Sequence, residues 1–325
     1  MIRQDIIYGV EEIKEKGLIE LINSRPIQRL KGVSQFGMPD EYYHKKGFSR
    51  YEHSMGVLIL LRRLGAGLEE QVAGLLHDVS HTAFSHVIDW VMGDSSKEDY
   101  QDKTLPEVLK KTELKNILDK NRLDYKKIAD LKKFSLLEQP APSLCADRVD
   151  YTLREIALLH NLGDAKKISE DLMNFRGRII FSSIEQAKIF SRYYINFNRE
   201  HWGGNEAKAR FYILANTLKR AINQKAISLD DLMQTDKEVL NILEKSDDKE
   251  ILSGLEMLKK GFLLIKPTNG NGILLTKKFR HIDPEIIYMG KLALLSELSP
   301  DYKKSLEQEI QNHGIKQEVE ILPLK

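Results

Sequence analysis

Cysteine is nearly absent from this sequence of 325 residues, in which Cys145 is the only one. A single cysteine cannot form an intramolecular disulfide, and it excludes a zinc site that is built from several thiolates. An excess of charge is missing as well, because 50 basic residues face 48 acidic ones and the net charge is +2. This balance gives no reason to expect a nucleic acid partner or attraction to a membrane surface.

Long apolar runs are also missing, since runs such as VLILL at 57–61 and AGLL at 73–76 fall far below the length of a membrane span. The first residues, MIRQDIIYGVEEIKEKG, carry acidic side chains and lack the apolar region of a secretory signal. We therefore expect a cytoplasmic protein that does not associate with membranes. A chain of this length can bury a large core without disulfides or structural metal.

Apolar residues recur with helical periodicity through the first 225 residues. Pro26 suits the first turn of a helix, and Gly65 and Gly67 end the helix that begins near Tyr51. The stretch 37–49 mixes Gly, Pro, Asp and Lys without a period and predicts a loop. The helices predicted in this part are 18–23, 26–36, 51–64, 69–79, 84–92, 105–120, 124–133, 143–160, 165–174, 184–202 and 205–223, interrupted by a β-like run at 177–183.

The pattern changes beyond about residue 226, where helical stretches rich in Lys, Glu and Leu lead into apolar runs typical of strands. The turn PTNGNG at 267–272 predicts a hairpin between the first two of these runs. The predicted fold class is mainly α, with an all-helical core in 1–225 and a small α+β accessory domain in 226–325. The elements predicted here are helices at 229–245, 248–260 and 300–312 and strands at 262–266, 272–276, 285–289 and 318–324.

Four of the nine histidines lie close together in the sequence, at His53, His77, His81 and His86. Imidazole combined with carboxylate suits Mn, Fe, Co, Ni or Zn better than Ca or Mg, which prefer shells made of oxygen. His77 and the adjacent Asp78 diverge by about 100° around a helix, so both reach one metal most easily at a helix end. They cannot complete a shell alone, and the short connection at 65–68 can bring His53 opposite them. Each histidine taken singly fits an ordinary hydrogen-bonded role, but the set in this register does not.

Three blocks of the sequence, SRYEHSMGV at 49–57, AGLLHDVSHTAFSH at 73–86 and LCADRVDYTLRE at 144–155, resemble in order and spacing the motifs of HD-domain phosphohydrolases. In detail they resemble the deoxynucleoside triphosphate triphosphohydrolases, a subgroup with sterile-alpha-motif HD enzymes and bacterial dGTP triphosphohydrolases. The upstream block RPIQRLKGVSQFG at 25–37 agrees with the same subgroup. The resemblance extends over about residues 1–220 and implies a helical, metal-dependent hydrolase of nucleotide phosphate esters.

The resemblance also implies which residues carry out the reaction. The metal ligands that it implies are His53, His77, Asp78 and Asp147. The family pattern D-x-x-D-Y selects Asp147 over Asp150, a choice that chemistry alone leaves open, with a solvated or helix-pairing acid as the alternative for Asp150. His81 is implied to donate a proton or assist the nucleophile, and His86 to contact the phosphate bridge with Asp89 orienting it.

Contacts to the substrate follow from the same resemblance. Arginine suits phosphate because its guanidinium binds two oxygens at once. Arg50, Arg148 and Tyr151 are implied to lie at the phosphate or sugar, and Gln35 at the sugar. The alternative for Arg50 is a surface ion pair, and the alternative for Tyr151 is a position in the core. For the proposed catalytic residue His86, the alternative is a buried, hydrogen-bonded imidazole.

The sequence departs from this subgroup in the stretch 90–103, where many members carry another active-site histidine and this chain has none. Lys97 or Glu98 is available in its place. This departure leaves both the triphosphate substrate and the path of the proton open.

The number of histidines also bears on the number of metals. Between Asp78 and Asp147 the histidines are His81 and His86, so the extra ligands of HD enzymes with two metals are missing and one metal is favoured. The cluster NREHW at 198–202 suits a contact to a nucleobase or phosphate, and an ordinary helix end equally well.

The leading interpretation is hydrolysis of a deoxynucleoside triphosphate to a deoxynucleoside and triphosphate. It requires one divalent metal, with Mn, Fe, Co, Ni or Zn favoured and Mg admitted together with the substrate. The alternatives are a phosphomonoesterase or phosphodiesterase acting on another nucleotide or small phosphate, and a nucleotide-binding sensor. Intact ligands argue against the sensor, because a pure binder does not need a metal that activates water. The expected partner is the nucleotide, a homo-oligomer is compatible with the sequence, and nucleic acid is not expected.

Overall fold

Helices make up most of the computed structural model, which describes residues 1–93, 97–267, 270–276, 279–313 and 318–324. The prediction of a mainly α fold is therefore confirmed. Within the described residues, no helix is both long and apolar enough to cross a membrane. The helices are α1 (Lys16–Asn23), α2 (Arg25–Arg29), α3 (Arg50–Arg63), α4 (Leu68–Leu76), α5 (Val87–Met92), α6 (Tyr100–Lys111), α7 (Leu114–Lys120), α8 (Tyr125–Ala129), α9 (Ala146–Leu159), α10 (Leu162–Asp171), α11 (Ile184–Phe197), α12 (Asn205–Asn223), α13 (Asp236–Leu243), α14 (Lys249–Lys260), α15 (Leu295–Leu298) and α16 (Pro300–His313).

The strands form small sheets beside these helices. A hairpin contains β1 and β2, a second sheet has the order β3-β4-β7-β8, and a third has the order β5-β9-β6. Neighbouring strands run antiparallel except β4 and β7, which run parallel. The strands are β1 (Ile2–Asp5), β2 (Gly9–Glu12), β3 (Leu172–Phe175), β4 (Arg178–Phe181), β5 (Phe262–Ile265), β6 (Ile273–Leu274), β7 (Glu285–Tyr288), β8 (Lys291–Leu294) and β9 (Glu318–Pro323).

The prediction of an all-helical core up to residue 225 is wrong, because β1 and β2 lie at its start and β3 and β4 lie between α10 and α11; the β-like run predicted at 177–183 is confirmed as β4. β1 and β2 pair at its start, and β4 pairs with β7 through Phe181 and Ile286. The boundary near residue 225 itself stays a prediction. Both buried apolar clusters contain side chains from either side of it, such as Phe190 with Leu295 in one and Leu214 with Leu255 in the other.

The predicted hairpin between 262–266 and 272–276 is also wrong. β5 and β6 each pair with β9, which lies between them, so the two strands that are consecutive in sequence are not neighbours. Residues 268 and 269 of the predicted turn lie outside the described residues. A turn signal between two apolar runs favours a hairpin, but here a strand some 50 residues downstream competes for the same edges.

The site depends on the close packing of α3 against α4 and α9. Two glycines allow this approach. A Cβ atom on Gly74 of α4 would lie 2.3 Å from Cδ1 of Leu61, and one on Gly56 of α3 would lie 2.0 Å from Oδ1 of Asp150. Any larger side chain at either position would push the helices apart.

The loop between α4 and α5 carries the central histidine motif and is held by residues distant in sequence. Nη2 of Arg29 donates to the carbonyl oxygens of Val79 and His81, at 3.1 and 2.6 Å. Asp236, in the first turn of α13, accepts from the backbone N–H of Phe84 at 2.8 Å. Phe84 itself has a φ of 62°, a conformation that needs such support.

Candidate metal centre and active-site cavity

Of the four side chains that the resemblance implies as metal ligands, His53, His77 and Asp147 offer ligand atoms that lie within 4.8 Å of one another, and Asp78 lies beside them. His53 comes from α3, His77 and Asp78 follow the last residue of α4, and Asp147 lies in the first turn of α9. Nε2 of His53 is 2.9 Å from Oδ1 of Asp147 and 3.3 Å from Nε2 of His77. The carboxylate of Asp78 lies 3.4 Å from Nε2 of His77 and 3.8 Å from Nε2 of His53. As expected, His77 and Asp78 reach this cluster from the end of a helix.

The outer nitrogens of the two imidazoles are already engaged. Nδ1 of His77 is 2.7 Å from the carbonyl oxygen of Gly74, and Nδ1 of His53 is 2.8 Å from Oδ2 of Asp150. Because both of these partners are acceptors, each Nδ1 donates its proton outward and each Nε2 faces the cluster, where it carries a proton or, once deprotonated, offers a lone pair to a metal. Two imidazole lone pairs and two carboxylates facing one space fit a divalent transition metal.

The charges in the cluster also favour a bound cation. Burial lowers the pKa of His77, but the carboxylates of Asp78 and Asp147 outweigh it and raise that pKa to about 9. Burial favours a protonated Asp147, yet its hydrogen bonds to His53 and His77 hold the pKa of this carboxyl well below its usual range. The cluster is thus a place where negative charge is concentrated and a cation, either a proton or a metal, is attracted.

Asp150 is a positioning residue within this arrangement. It is fully buried, and its Oδ2 contacts both His53 and Nε of Arg154, the latter at 2.9 Å. Nη2 of Arg154 in turn lies 2.7 Å from Oδ2 of Asp5 in β1. The solvated acid considered for Asp150 is therefore wrong, and the helix-pairing acid is right. The spacing of Asp150 and Arg154 signals their pairing, whereas no local pattern signals the contribution of Asp5.

Arg50 and His81 both contact the metal-ligand candidate Asp78. Nη1 of Arg50 is 2.8 Å from Oδ2 of Asp78, and the side chain of Arg50 is buried, so the surface ion pair considered for it is wrong. Nε2 of His81 is 3.2 Å from Oδ1 of Asp78. Burial, together with the charge of Arg50, lowers the pKa of His81 to about 3, so this imidazole is neutral near pH 7.

His86 lies beside His81 and is supported from behind. Its Nδ1 is 3.4 Å from Oδ2 of Asp89, whose Oδ1 accepts from the backbone N–H of Tyr100 at 3.1 Å. The rings of His81 and His86 are 4.8 Å apart and nearly perpendicular. The orienting role expected of Asp89 is thus compatible with its position.

A cavity of about 350 Å³ opens beside the cluster. Gln35, Arg50, Arg148 and Tyr151 all line it, as do His81 and His86, so the expected substrate contacts are brought together with the expected metal ligands. The hydroxyl of Tyr151 is 2.9 Å from that of Tyr194. The side-chain oxygen of Gln35 is buried and has no hydrogen-bond partner among the residues that the structure describes.

Aromatic side chains form much of the remaining wall. The motif NREHW is a π-helical turn at Asn198–Trp202 that contributes His201 and Trp202 to the cavity. The buried Glu155 accepts from Nε1 of Trp202 and lies 2.9 Å from Nδ1 of His201. Two residues of this motif therefore belong to the cavity wall. Glu155 was missed from the sequence, although its buried position on the inner face of α9 is predictable from helical spacing. The Phe, Tyr and Trp residues of the wall are Phe36, Tyr43, Tyr151, Tyr194, Trp202, Phe211 and Phe279.

The part of the chain after residue 226 also reaches the cavity. Phe279, Arg280 and His281 line it, and Arg280 forms an ion pair with the buried Glu98. Of the two residues that replace the missing histidine, Glu98 therefore lies at the cavity, while Lys97 is exposed. Arg280 lies 182 residues from Glu98, and no local pattern indicates it.

A second grouping of candidate ligands, Glu138, Cys145 and Asp147, overlaps the first. Burial raises the pKa of Cys145 to about 12, so its sulfur stays a thiol, which is a poor metal ligand. Burial and the charge of Asp147 raise the pKa of Glu138 to about 7. The histidine-containing cluster is the better cation site.

Comparison with known proteins agrees with this geometry. A model of the HD domain matches residues 50–155, which include the four converging side chains. The chain is 41% identical to the uncharacterized protein YdhJ of Bacillus subtilis, over 92% of this chain and 93% of YdhJ. It is 34% identical to the metal-dependent phosphohydrolase cns2 of Cordyceps militaris, over 87% of this chain and 84% of cns2.

More distant similarity extends to other named hydrolases. The deoxynucleoside triphosphate triphosphohydrolase SAMHD1 homolog of Dictyostelium discoideum is 22% identical, over 78% of this chain and 57% of that protein. The crystal structure of a phosphohydrolase from Bacteroides thetaiotaomicron matches 100% of both chains with a TM-score of 0.72. At 15% identity, that likeness concerns the fold alone.

Proposed function

Because the chain belongs to the superfamily of HD-domain metal-dependent phosphohydrolases, we propose that it hydrolyses a deoxynucleoside triphosphate to a deoxynucleoside and triphosphate. The observation that carries this proposal is the convergence of His53, His77 and Asp147, with Asp78 beside His77, next to a cavity that is lined by arginines and aromatic rings. The first set suits a metal and the second suits a nucleotide.

The proposed cation is a single Mn, Fe, Co, Ni or Zn ion held by His53, His77, Asp78 and Asp147. When bound, a divalent cation of this kind lowers the pKa of water and stabilises charge on a phosphoryl oxygen. The chain's own contribution is to fix the ligands: Asp150 orients His53, and the carbonyl oxygen of Gly74 orients His77. Such outer partners set the tautomer and raise the basicity of a ligating imidazole.

The resemblance favours His81 as the residue that donates a proton to the leaving group. The geometry supports His86 better in this role. His81 is fully buried and its Nε2 is directed at Asp78. His86 is partly exposed and lines the cavity, and its Nδ1 lies 3.4 Å from Oδ2 of Asp89, which leaves Nε2 as the nitrogen that can face a substrate. We propose that His86 holds the proton that the leaving oxygen receives, while His81 and Arg50 keep Asp78 in position.

A nucleotide accounts for the rest of the cavity. The buried side-chain oxygen of Gln35 is an acceptor that a sugar hydroxyl would satisfy. Tyr151 and Trp202 offer flat apolar faces of the kind on which a base or sugar packs. Arg148 supplies a cation next to Asp147 for phosphate oxygens. The similarity to a deoxynucleoside triphosphate triphosphohydrolase supports this substrate in particular.

Glu98 favours a second candidate, a phosphomonoesterase or phosphodiesterase that acts on another nucleotide. A carboxylate occupies the stretch in which many triphosphohydrolases of this type carry a histidine, so the chemistry of the leaving group can differ. Both candidates share the cation site, and they differ in the product that they release.

The test combines a metal assay with identification of the products. The purified chain is analysed for metals and then incubated with all dNTPs, NTPs, nucleoside monophosphates and cyclic nucleotides, with products separated by chromatography. Triphosphate release is expected, whereas release of orthophosphate from a monophosphate, or of a nucleoside monophosphate from a cyclic nucleotide, would favour the second candidate. His77→Ala and Asp78→Ala are expected to lose at least about 100-fold in activity, and His160→Ala, an exposed histidine outside the cavity, to keep it.

Two outcomes would contradict the proposal that the chain is a metal-dependent hydrolase of nucleotides. Full activity after removal of all metal would rule out the proposed role of the cluster. Tight nucleotide binding without any turnover by the metal-loaded protein would favour a sensor over an enzyme.

A further inference from the structure

The segment that precedes β7 lies against the active-site cavity, although it is far from the histidine motifs in sequence. Arg280 and its two chain neighbours line the cavity. The backbone N–H of Arg280 donates to Oδ1 of Asn198 at 3.2 Å, and that of Asp283 donates to the carbonyl oxygen of Pro142 at 2.9 Å. Parts of the chain that precede residue 226 therefore anchor this segment at two points.

The guanidinium of Arg280 is held in the cavity wall by Glu98. The side chain of Glu98 is 0% exposed and that of Arg280 is 19% exposed. Burial alone would lower the pKa of Arg280, but the charge of Glu98 raises it above the ordinary value, so the guanidinium stays charged. A buried carboxylate without a cation beside it destabilises the fold. The ion pair therefore holds the side chains of Glu98 and Arg280 in place.

Arg148 supplies a second cation to the same region. Its guanidinium donates to the backbone carbonyl oxygens of Ser143 and Gln139, the latter at 3.2 Å. Burial raises the pKa of Tyr151 well above its ordinary value, and the charges of Arg148 and Arg280 both oppose this increase. The two arginines thus lie near one tyrosine, and Arg148 directly follows the proposed ligand Asp147 in the chain.

A guanidinium binds two phosphate oxygens at once and keeps its charge when buried. Arg148 and Arg280 line the same cavity as His77, Asp78 and Asp147, and two guanidinium groups together suit an anion with more charged oxygens than a single phosphate has. Glu98 neutralises part of this positive charge, and the remaining donors of the Arg280 guanidinium are available to a ligand in the cavity.

We propose that Arg280 binds the outer phosphate groups of a polyphosphate substrate, a role that rests on the proposed hydrolysis of nucleoside triphosphates. Arg148 binds the same phosphate chain closer to Asp147. Glu98 is then a positioning residue for Arg280 and does not transfer a proton to the substrate. In this way the part of the chain after residue 226 completes the active site and selects nucleotides by the length of their phosphate chain.

The experiment compares Arg280→Gln with Arg178→Gln in the full chain loaded with Mn²⁺. Arg178 is a matched control because it also links the two parts of the chain through an ion pair, with Glu285 at 2.7 Å, but its side chain is 60% exposed and outside the cavity. Affinity for inorganic triphosphate and for orthophosphate is measured by titration calorimetry, and steady-state kinetics are measured with dNTPs and with bis(p-nitrophenyl) phosphate.

Arg280→Gln is expected to bind inorganic triphosphate about 10- to 100-fold more weakly, because a charged hydrogen bond pair is lost, with little change for orthophosphate. KM for dNTPs should rise by a similar factor while kcat and the cleavage of bis(p-nitrophenyl) phosphate stay near the wild-type values. Arg178→Gln should behave as the wild type. Glu98→Gln, which keeps the arginine, should weaken triphosphate binding less than Arg280→Gln.

The inference is overturned if Arg280→Gln binds triphosphate as well as the wild type does. It is also overturned if triphosphate and orthophosphate are weakened equally, or if Arg178→Gln has the same effect. Arg280→Lys, which keeps the charge, serves as the test variant if Arg280→Gln does not fold. Weaker triphosphate binding by Arg280→Gln, beside a wild type that hydrolyses no nucleotide, would refute the proposed function and leave the binding role of Arg280 standing.

Discussion

Asp150 is the buried carboxylate behind His53, and replacing it by asparagine tests the proposed metal centre without changing a ligand. Its Oδ2 atom lies 2.8 Å from Nδ1 of His53 and 2.9 Å from Nε of Arg154. Asparagine has nearly the same shape, so the substitution leaves no cavity and removes a charge. The side chain is 0% exposed and packs against Gly56, so water has little room to replace the lost interaction.

The expected size of the effect follows from the partners that remain. Removing one member of a buried ion pair costs about 3–5 kcal/mol, because the other charge stays buried. Arg154 keeps a second carboxylate, Asp5, at 2.7 Å, so we expect a loss of about 3 kcal/mol in the free energy of unfolding. The amide oxygen of asparagine can still accept from His53, but the negative charge that polarises this imidazole is lost, and a change of such a partner weakens metal affinity by about 10- to 100-fold.

Urea unfolding measures the first effect, and competition with a chromophoric chelator for Mn²⁺ measures the second. Asp130→Asn is the control, because it removes the same charge from an ion pair with Lys133 in which the side chain of Asp130 is 44% exposed. Exposed pairs of this kind contribute at most about 1 kcal/mol. If Asp150→Asn unfolds within about 0.5 kcal/mol of this control and binds Mn²⁺ as tightly as the wild type, the orienting role of Asp150 is refuted.

Two further predictions concern the same cluster. Gly56→Ala should destabilise the fold by about 1–3 kcal/mol despite the better helix propensity of alanine, because the new Cβ would lie 2.0 Å from Asp150 and 2.1 Å from Arg154. Gly67→Ala, where nothing lies within 4 Å of the new carbon, is its control, and equal urea midpoints would contradict the packing argument. The second prediction concerns pH, because the pKa of His77 is about 9 in the folded protein and 6.5 ordinarily. The proton on His77 therefore stabilises the metal-free fold fully below pH 6.5. This stabilisation is lost as the pH rises through about 9. Urea unfolding in chelator should therefore show stability falling by at most about 3 kcal/mol between these values, while Mn²⁺ affinity rises; a flat profile for both would contradict it.

The helices that carry the site could be predicted from the sequence because their signals are local. The capping box of Ser49 and Glu52 begins α3, and the apolar spacing of α4 and α9 follows the ordinary helical period. The resemblance of the three blocks then selected side chains that do converge, His53 with His77 and Asp147 among them. Local order and a known motif were therefore sufficient to predict the centre of the site.

The supporting residues could not be predicted in the same way because their partners are distant in sequence. Asp5 meets Arg154 across 149 residues and Arg280 meets Glu98 across 182. The pairing of β4 with β7 and the insertion of β9 between β5 and β6 are equally non-local. Such contacts are decided by which apolar faces and charges remain unpaired after the local elements have formed, and periodicity carries no information about them.

The loop with the central motif depends on this long-range support as much as the substrate contacts do. The backbone N–H of Ala83 donates to the carbonyl oxygen of Leu232 at 2.6 Å, and Asp236 accepts from Ser34 and Phe84 at 2.8 Å each. Residues beyond 226 thus hold the backbone between His81 and His86, and Arg280 reaches the cavity itself. In the proposed chemistry both parts of the chain are needed, since residues before 226 supply the cluster and residues after it hold the loop that carries His86.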